Sequence, residues 1–307
     1  MIDHILRKGR KALHLRSTRA VLDTPPIVPT GDRVILFSML GTGVLLPYLV
    51  AVKSLHSRLG RGRVVILDDG SLTDADKAVL AHHLGDPEIR SIVEVDTGLC
   101  PRGGTWERLL TLLDLRVEDY VIQLDSDTVT VGDVPEVLAA IEGNYSFTLL
   151  GDSGSDDIGV LPLPDFAAHR YPDGVPAGRH HVQIAIEARF SGYPDAARHR
   201  YVRGCSGFAG FARGGPSGRA DAEAFSQAGE ALVGQARWWE WGTEQVASSF
   251  LLANEPGMRP LPYRHYLNYW NEPPHPDARF LHFVGTHRYS SAVYRHSSAE
   301  QIALLRA

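Results

Sequence analysis

Two spacings of apolar residues alternate along the first half of this chain. Four short continuous runs are rich in β-branched residues: Val34-Ile35-Leu36-Phe37-Ser38, Val64-Val65-Ile66-Leu67, Ile92-Val93-Glu94-Val95 and Tyr120-Val121-Ile122-Gln123-Leu124. Such runs suit strands covered on both faces. Between them, residues 47–59, 74–84 and 106–115 carry helical spacing. Strands alternating with helices predict a mostly parallel sheet with right-handed crossovers. The first run ends in a Gly41-Thr42-Gly43 turn. The second half is less regular. Residues 151–200 are rich in Gly, Pro, Asp and His and read as long loops with one short helix over 181–190. Strands are expected over 208–212 and 279–284, with a helix over 243–253.

Composition narrows the class. A chain of 307 residues allows one large α/β domain or two small ones. Its 44% hydrophobic and 22% charged residues are ordinary for a globular protein. A formal net charge of −5 excludes a general nucleic-acid binder. The two cysteines, Cys100 and Cys205, form no metal-binding pair and no disulfide framework, so a reducing compartment is the default. No signal peptide and no uninterrupted membrane-length run is found, since Gly41, Gly43 and Pro47 break the Leu36 to Val52 stretch. A cytoplasmic location is the expectation.

The first 20 residues depart from the rest. Arg7, Lys8, Arg10, Lys11, Arg16 and Arg19 stand against one acid, Asp3, and Ile2, Ile5, Leu6 and Leu13 fall roughly on one helical face. Such a segment either packs as an N-terminal helix or makes a peripheral contact, through residues 1–20, with the inner face of an anionic membrane. A linker follows over 23–31. The organisation expected is a basic segment and linker over 1–31 and a domain over 32–307. Within it, 32–130 would be a nucleotide-binding half and 131–307 the half that completes the acceptor and metal sites.

The strand at 120–124 runs into Asp125-Ser126-Asp127. Carboxylates at the carboxyl end of a parallel strand sit where open α/β sheets place ligands. Two of them one residue apart offer hard oxygen ligands to a divalent cation. Asp69, in Asp68-Asp69-Gly70-Ser71, is placed to meet a nucleoside, though Asp-Gly turns also arise for local reasons. Trp238-Trp239-Glu240-Trp241 offers rings to stack on a sugar or to anchor the following helix. His180, His181 and His265 are weaker acceptor candidates.

Several motifs in order resemble the GT-A glycosyltransferases, especially the family 8 type, over residues 33–289. Asp125-Ser126-Asp127 is similar to that family's Asp-x-Asp motif. His282-Phe283-Val284-Gly285-Thr286-His287-Arg288 resembles its late His-x-x-Gly-x-x-Lys motif, with Arg288 in place of the Lys. Gly204-Cys205-Ser206-Gly207-Phe208 resembles its Asn-Ser-Gly segment, with Cys205 in place of Asn. Thr243-Glu244-Gln245, followed by Asn254, is similar to its Asp-Gln…Asn segment, and Arg108 matches a donor-binding Arg. The resemblance implies a GT-A fold, α/β with a Rossmann-like central sheet and helices on both faces. It implies Asp125, Asp127 and His282 as ligands of Mn²⁺ or Mg²⁺. Ser38, Arg108, Asp125, Ser206, Gly207, Gly285 and Arg288 would lie around the donor, and Gln245 and Glu244 at the reacting carbon. Two Asp and one His make a donor set that suits such a cation.

The activity implied is transfer of a hexose from a UDP-sugar to a glycan or glycolipid hydroxyl, with retention, in surface polysaccharide or lipopolysaccharide assembly. Three alternatives stand beside it. Trp239 to Glu244 faintly resembles a motif of inverting galactosyltransferases, which would make Glu244 a general base. The departures at 205 and 288 allow an inactive glycan-binding scaffold. Asp125-Ser126-Asp127-Thr128-Val129 also fits haloacid-dehalogenase-type phosphatases, but too few residues separate it from the acidic loop at 151–157.

Overall fold

The computed structural model describes residues 2–307, the side chains of residues 2–5 and of Thr286 excepted. Its first half runs α1 (Ile2–Thr18), β1 (Val34–Leu40), α2 (Leu45–Leu59), β2 (Arg63–Asp68), α3 (Asp74–Leu84), β3 (Glu88–Ser91), α4 (Trp106–Leu115), β4 (Tyr120–Leu124) and β5 (Thr128–Thr130). Next come α5 (Pro135–Gly143), β6 (Phe147–Leu150), α6 (Gly154–Ile158), β7 (Leu161–Pro162), α7 (Leu163–Arg170), α8 (Val182–Glu187), β8 (Arg200–Tyr201) and β9 (Gly204–Phe211). The chain closes with α9 (Arg219–Val233), α10 (Gln235–Trp238), α11 (Thr243–Ala253), β10 (Arg259–Pro260), β11 (Tyr266–Asn268), β12 (Phe280–His282) and α12 (Val293–Arg306).

Seven strands form the central sheet in the order β10-β6-β9-β4-β1-β2-β3. β1 pairs in parallel with β2 and β4, and only β9 runs against its neighbours, β4 and β6. Alternation along β1 sends Val34, Leu36 and Leu40 to one core and Ile35 and Phe37 to the other. The first core lies under α2, α5 and α12, the second under α4, α9 and α11. Helices therefore cover both faces, as the long apolar runs imply. A smaller sheet, β11-β12-β5, branches off beyond the end of β4.

Three expectations are corrected. The third strand is Glu88–Ser91, and Ile92–Glu94 is a 3-10 turn. β3 is the sheet's edge, so its register on β2 is set by the pairing of Ile89 with Ile66, while Val93 lies 75% exposed. The strand expected at 208–212 begins at Gly204. Glycines at 204, 207 and 210 mask its pattern, and at Gly210 a Cβ would lie 2.2 Å from the Phe147 ring. Residues 151–200 hold α6, α7 and α8 rather than one helix.

α1 packs on α2 and α12. Of the apolar face expected for it, Leu6 and Leu13 are exposed, while Ile2 and Ile5 lie outside the described side chains. No helix among the described residues is long and apolar enough to cross a membrane.

Candidate metal and donor site

Backbone pairing builds the site. Beyond β4, the Asp125 amide donates to the Gly207 carbonyl of β9 at 2.9 Å. On the other side, β12 runs antiparallel to β5 with His282 opposite Thr128, and the Phe283 amide donates to the Asp127 carbonyl at 2.8 Å. The Asp125-Ser126-Asp127 turn is thus held between two strands that are distant in sequence. One ligand atom each from Asp125, Asp127 and His282 lies within 4.8 Å of the others.

One neighbouring amide sets the His282 tautomer. Asn268 on β11 donates through Nδ2 to the carbonyls of Leu150 and Gly151 at 2.9 and 2.8 Å. Its Oδ1 therefore faces His282 Nδ1, at 2.8 Å, and must accept from it. In the neutral ring this leaves the lone pair on Nε2, which lies 3.3 Å from Asp127 and 3.7 Å from Asp125. That is the arrangement in which an imidazole ligates a metal. Gly207 makes room for the ring, since a Cβ there would sit 2.4 Å from it. Cys205 Sγ lies 3.4 Å from Nδ1, on the same side as Asn268.

Cationic side chains flank the cluster. Arg288 pairs with Asp127 and donates through Nε to the Phe283 carbonyl at 3.1 Å. Arg108, buried on α4, pairs with Asp125 and donates to Ser206 at 3.0 Å and Glu244 at 3.1 Å. Burial works against the Asp127 carboxylate, but His282 and Arg288 together hold its pKa below the usual value. Burial likewise disfavours the His282 imidazolium, yet Cys205 and Asp127 raise its pKa well above normal. Protons and a cation therefore compete for this cluster. Glu244 is 1% exposed and accepts from Thr105 at 2.9 Å as well as from Arg108. Burial raises its pKa against the pull of Arg108.

Next to Glu244 on α11, Gln245 donates to Gln183 Oε1 at 3.0 Å. Gln183 in turn donates to Glu187 at 2.8 Å. Glu187 is fully buried and also accepts from Arg203, Tyr171 and, at 2.9 Å, Tyr201. Sequence reasoning did not find Asn268, Gln183 or Thr105, whose roles are to orient other side chains and leave no motif.

The remaining candidates are dispersed. Ser38 is fully buried and donates to the Leu124 carbonyl at 2.7 Å, tying β1 to β4. Asp69 is exposed, accepts from the Ser71 amide at 2.9 Å, and abuts Gly41. Gly285 is exposed with φ 38°, in the turn that carries Arg288. Asn254 caps the end of α11 and pairs with Arg200 backbone, away from the cluster. Trp238 is a fully buried anchor, whereas Trp239 and Trp241 are exposed and the His181 ring meets Trp241 edge-on. His265 lies 3.5 Å from Glu136. His180 carries its carbonyl to Arg237 at 2.8 Å.

No family model and no curated relative matches this sequence. Solved structures do. The galactosyltransferase LgtC, in complex with donor and acceptor sugar analogues, is similar over 89% of this chain and 96% of its own, at 15% identity and a TM-score of 0.50. An active-site mutant of LgtC is similar over 88% of this chain and 95% of its own, at 13% identity and a TM-score of 0.51. With the branched second sheet and its Asp-Asp-His cluster beside the central one, the chain has the fold of the GT-A glycosyltransferases.

Proposed function

We propose that this chain is a metal-dependent glycosyltransferase that moves a hexose from a nucleoside diphosphate sugar, a UDP-sugar, to a hydroxyl of a glycan or glycolipid. The observation that carries the reading is the Asp125, Asp127 and His282 cluster at the carboxyl edge of the sheet, flanked by Arg108 and Arg288. Two carboxylates and an imidazole oriented through Nδ1 fit Mn²⁺ or Mg²⁺. A cation held there neutralises charge on a diphosphate leaving group. Arg288 offers a planar fork to the same phosphates. Arg108 links Asp125, Ser206 and Glu244, so the donor's ribose and sugar ends meet a single hydrogen-bonded unit.

The geometry favours retention of the anomeric configuration. A general base for inversion must reach the acceptor hydroxyl. Glu244 is enclosed by Thr105, Arg108 and Ser206, which fits a residue that positions Arg108. Gln245 is the partly exposed neighbour left to face the sugar. Assembly of a surface polysaccharide or lipopolysaccharide in the cytoplasm is the setting this reading suits.

Calorimetric titration of UDP tests the donor site. Binding that requires Mn²⁺, disappears with EDTA and is lost in Asp127→Ala is expected. Failure of UDP to bind under every condition removes the UDP assignment, and failure of other nucleoside diphosphates removes the transferase reading. Proton NMR of the product then reads the linkage, and an inverted product would return Glu244 to the role of base.

A further inference from the structure

Surface helices turn their apolar stripe to the core. α1 departs from this. Among its described side chains, the buried ones are the polar His14 and Thr18. Leu6 and Leu13, two turns apart and about a quarter-turn round the helix from His14, are 48% and 55% exposed, and Gly9 and Ala12 face solvent too. Lys8, Lys11 and Arg16 are exposed elsewhere on the helix surface. The segment is strongly basic within a chain of net charge −5. Between α1 and the start of α2 runs an open groove of about 670 Å³, with Leu15, Leu46 and Pro47 in its wall and Arg16 and Arg19 beside them.

We propose that the outward face of α1 seats on a bilayer containing anionic phospholipid. Leu6 and Leu13 enter the acyl boundary, and Arg16 and Arg19 receive headgroup phosphate at the groove. An apolar strip on a segment whose described exposed charges are all basic matches a plane of the opposite sign, which is the pattern of interfacial helices. The buried side of α1 is tied to the site. Arg10 donates to the Ser290 carbonyl, and His14 stacks on Tyr294 with ring centroids 3.9 Å apart. The Tyr294 hydroxyl reaches the Ser126 carbonyl, between the two aspartates, at 3.4 Å. Docking by α1 thereby fixes how the Asp125-Ser126-Asp127 turn is held relative to the membrane.

Co-sedimentation of the full chain with vesicles tests this without any assay of transfer. The wild type is expected to pellet with mixed phosphatidylcholine–phosphatidylglycerol vesicles, less so at high salt, and to stay in solution with phosphatidylcholine alone. Leu6→Ser with Leu13→Ser, and separately Arg16→Glu with Arg19→Glu, alter only exposed or groove-lining side chains. Each pair is expected to weaken partitioning roughly tenfold or more. Thermal melting of both variants checks that the fold is kept. A wild type that stays in solution with both vesicle types, or variants that pellet as it does, would overturn the proposal.

Discussion

Gln245 can turn either end of its partly exposed amide outward, and its neighbours decide which. Glu187 can only accept, so Gln183 must point its Nδ-equivalent, Nε2, at it and its Oε1 at Gln245. Gln245 then spends its NH₂ on Gln183, and its carbonyl oxygen is left without a protein donor among the described residues. Gln183→Leu removes this constraint while leaving the aspartates, His282 and both arginines in place. The expected result is a kcat lower by up to about 10²-fold, with UDP affinity by calorimetry and donor KM little changed. A parallel loss of UDP affinity would show that Gln183 supports the fold instead. The contrast with Asp125 and Asp127 explains what a sequence reveals. Two carboxylates at a strand end are a signal in themselves, because charge there demands a partner. Gln183 and Asn268 carry no such demand, and only the geometry of what they touch gives them a role.

At the scale of elements, helical periodicity located α2, α3, α4 and α11 because each buries an apolar face. It misleads for α1, where Leu6 and Leu13 are exposed and the polar His14 is one of the buried contacts with the domain. Burial first, then the charges of Arg288 and Arg295, lower the His14 pKa from 6.5 to about 4. As pH falls, the unfolded chain therefore takes up this proton before the folded one does. The stability that a neutral His14 contributes is full above 6.5 and is lost as pH drops toward about 4. His14→Phe keeps a ring against Tyr294 and removes the proton. Across that pH range the melting temperature of the wild type is expected to fall more steeply than that of the variant. Equal slopes would place the acid sensitivity elsewhere.

Across the whole molecule, one buried ion pair joins elements far apart in sequence. Arg116, at the end of α4, meets Glu255 through two contacts of 2.7 and 2.9 Å and donates to the Ala212 carbonyl beyond β9. Both side chains are about 2% exposed. Arg116→Met leaves Glu255 buried without its partner, at a cost of about 3–5 kcal/mol. Urea denaturation is expected to show that loss, and Glu255→Leu added to it to recover a part.

β9 has its own consequence for how the chain is made. It lies between β4 and β6 and supplies the Gly207 carbonyl to Asp125 and the Ser206 hydroxyl to Arg108. During synthesis β4 emerges long before it, with the N–H and C=O groups of one edge free to pair with other chains. The ribosome must deliver Phe211 before that edge is covered. The nascent chain therefore completes one wall of the Asp-Asp-His cluster and covers that open edge in a single late step.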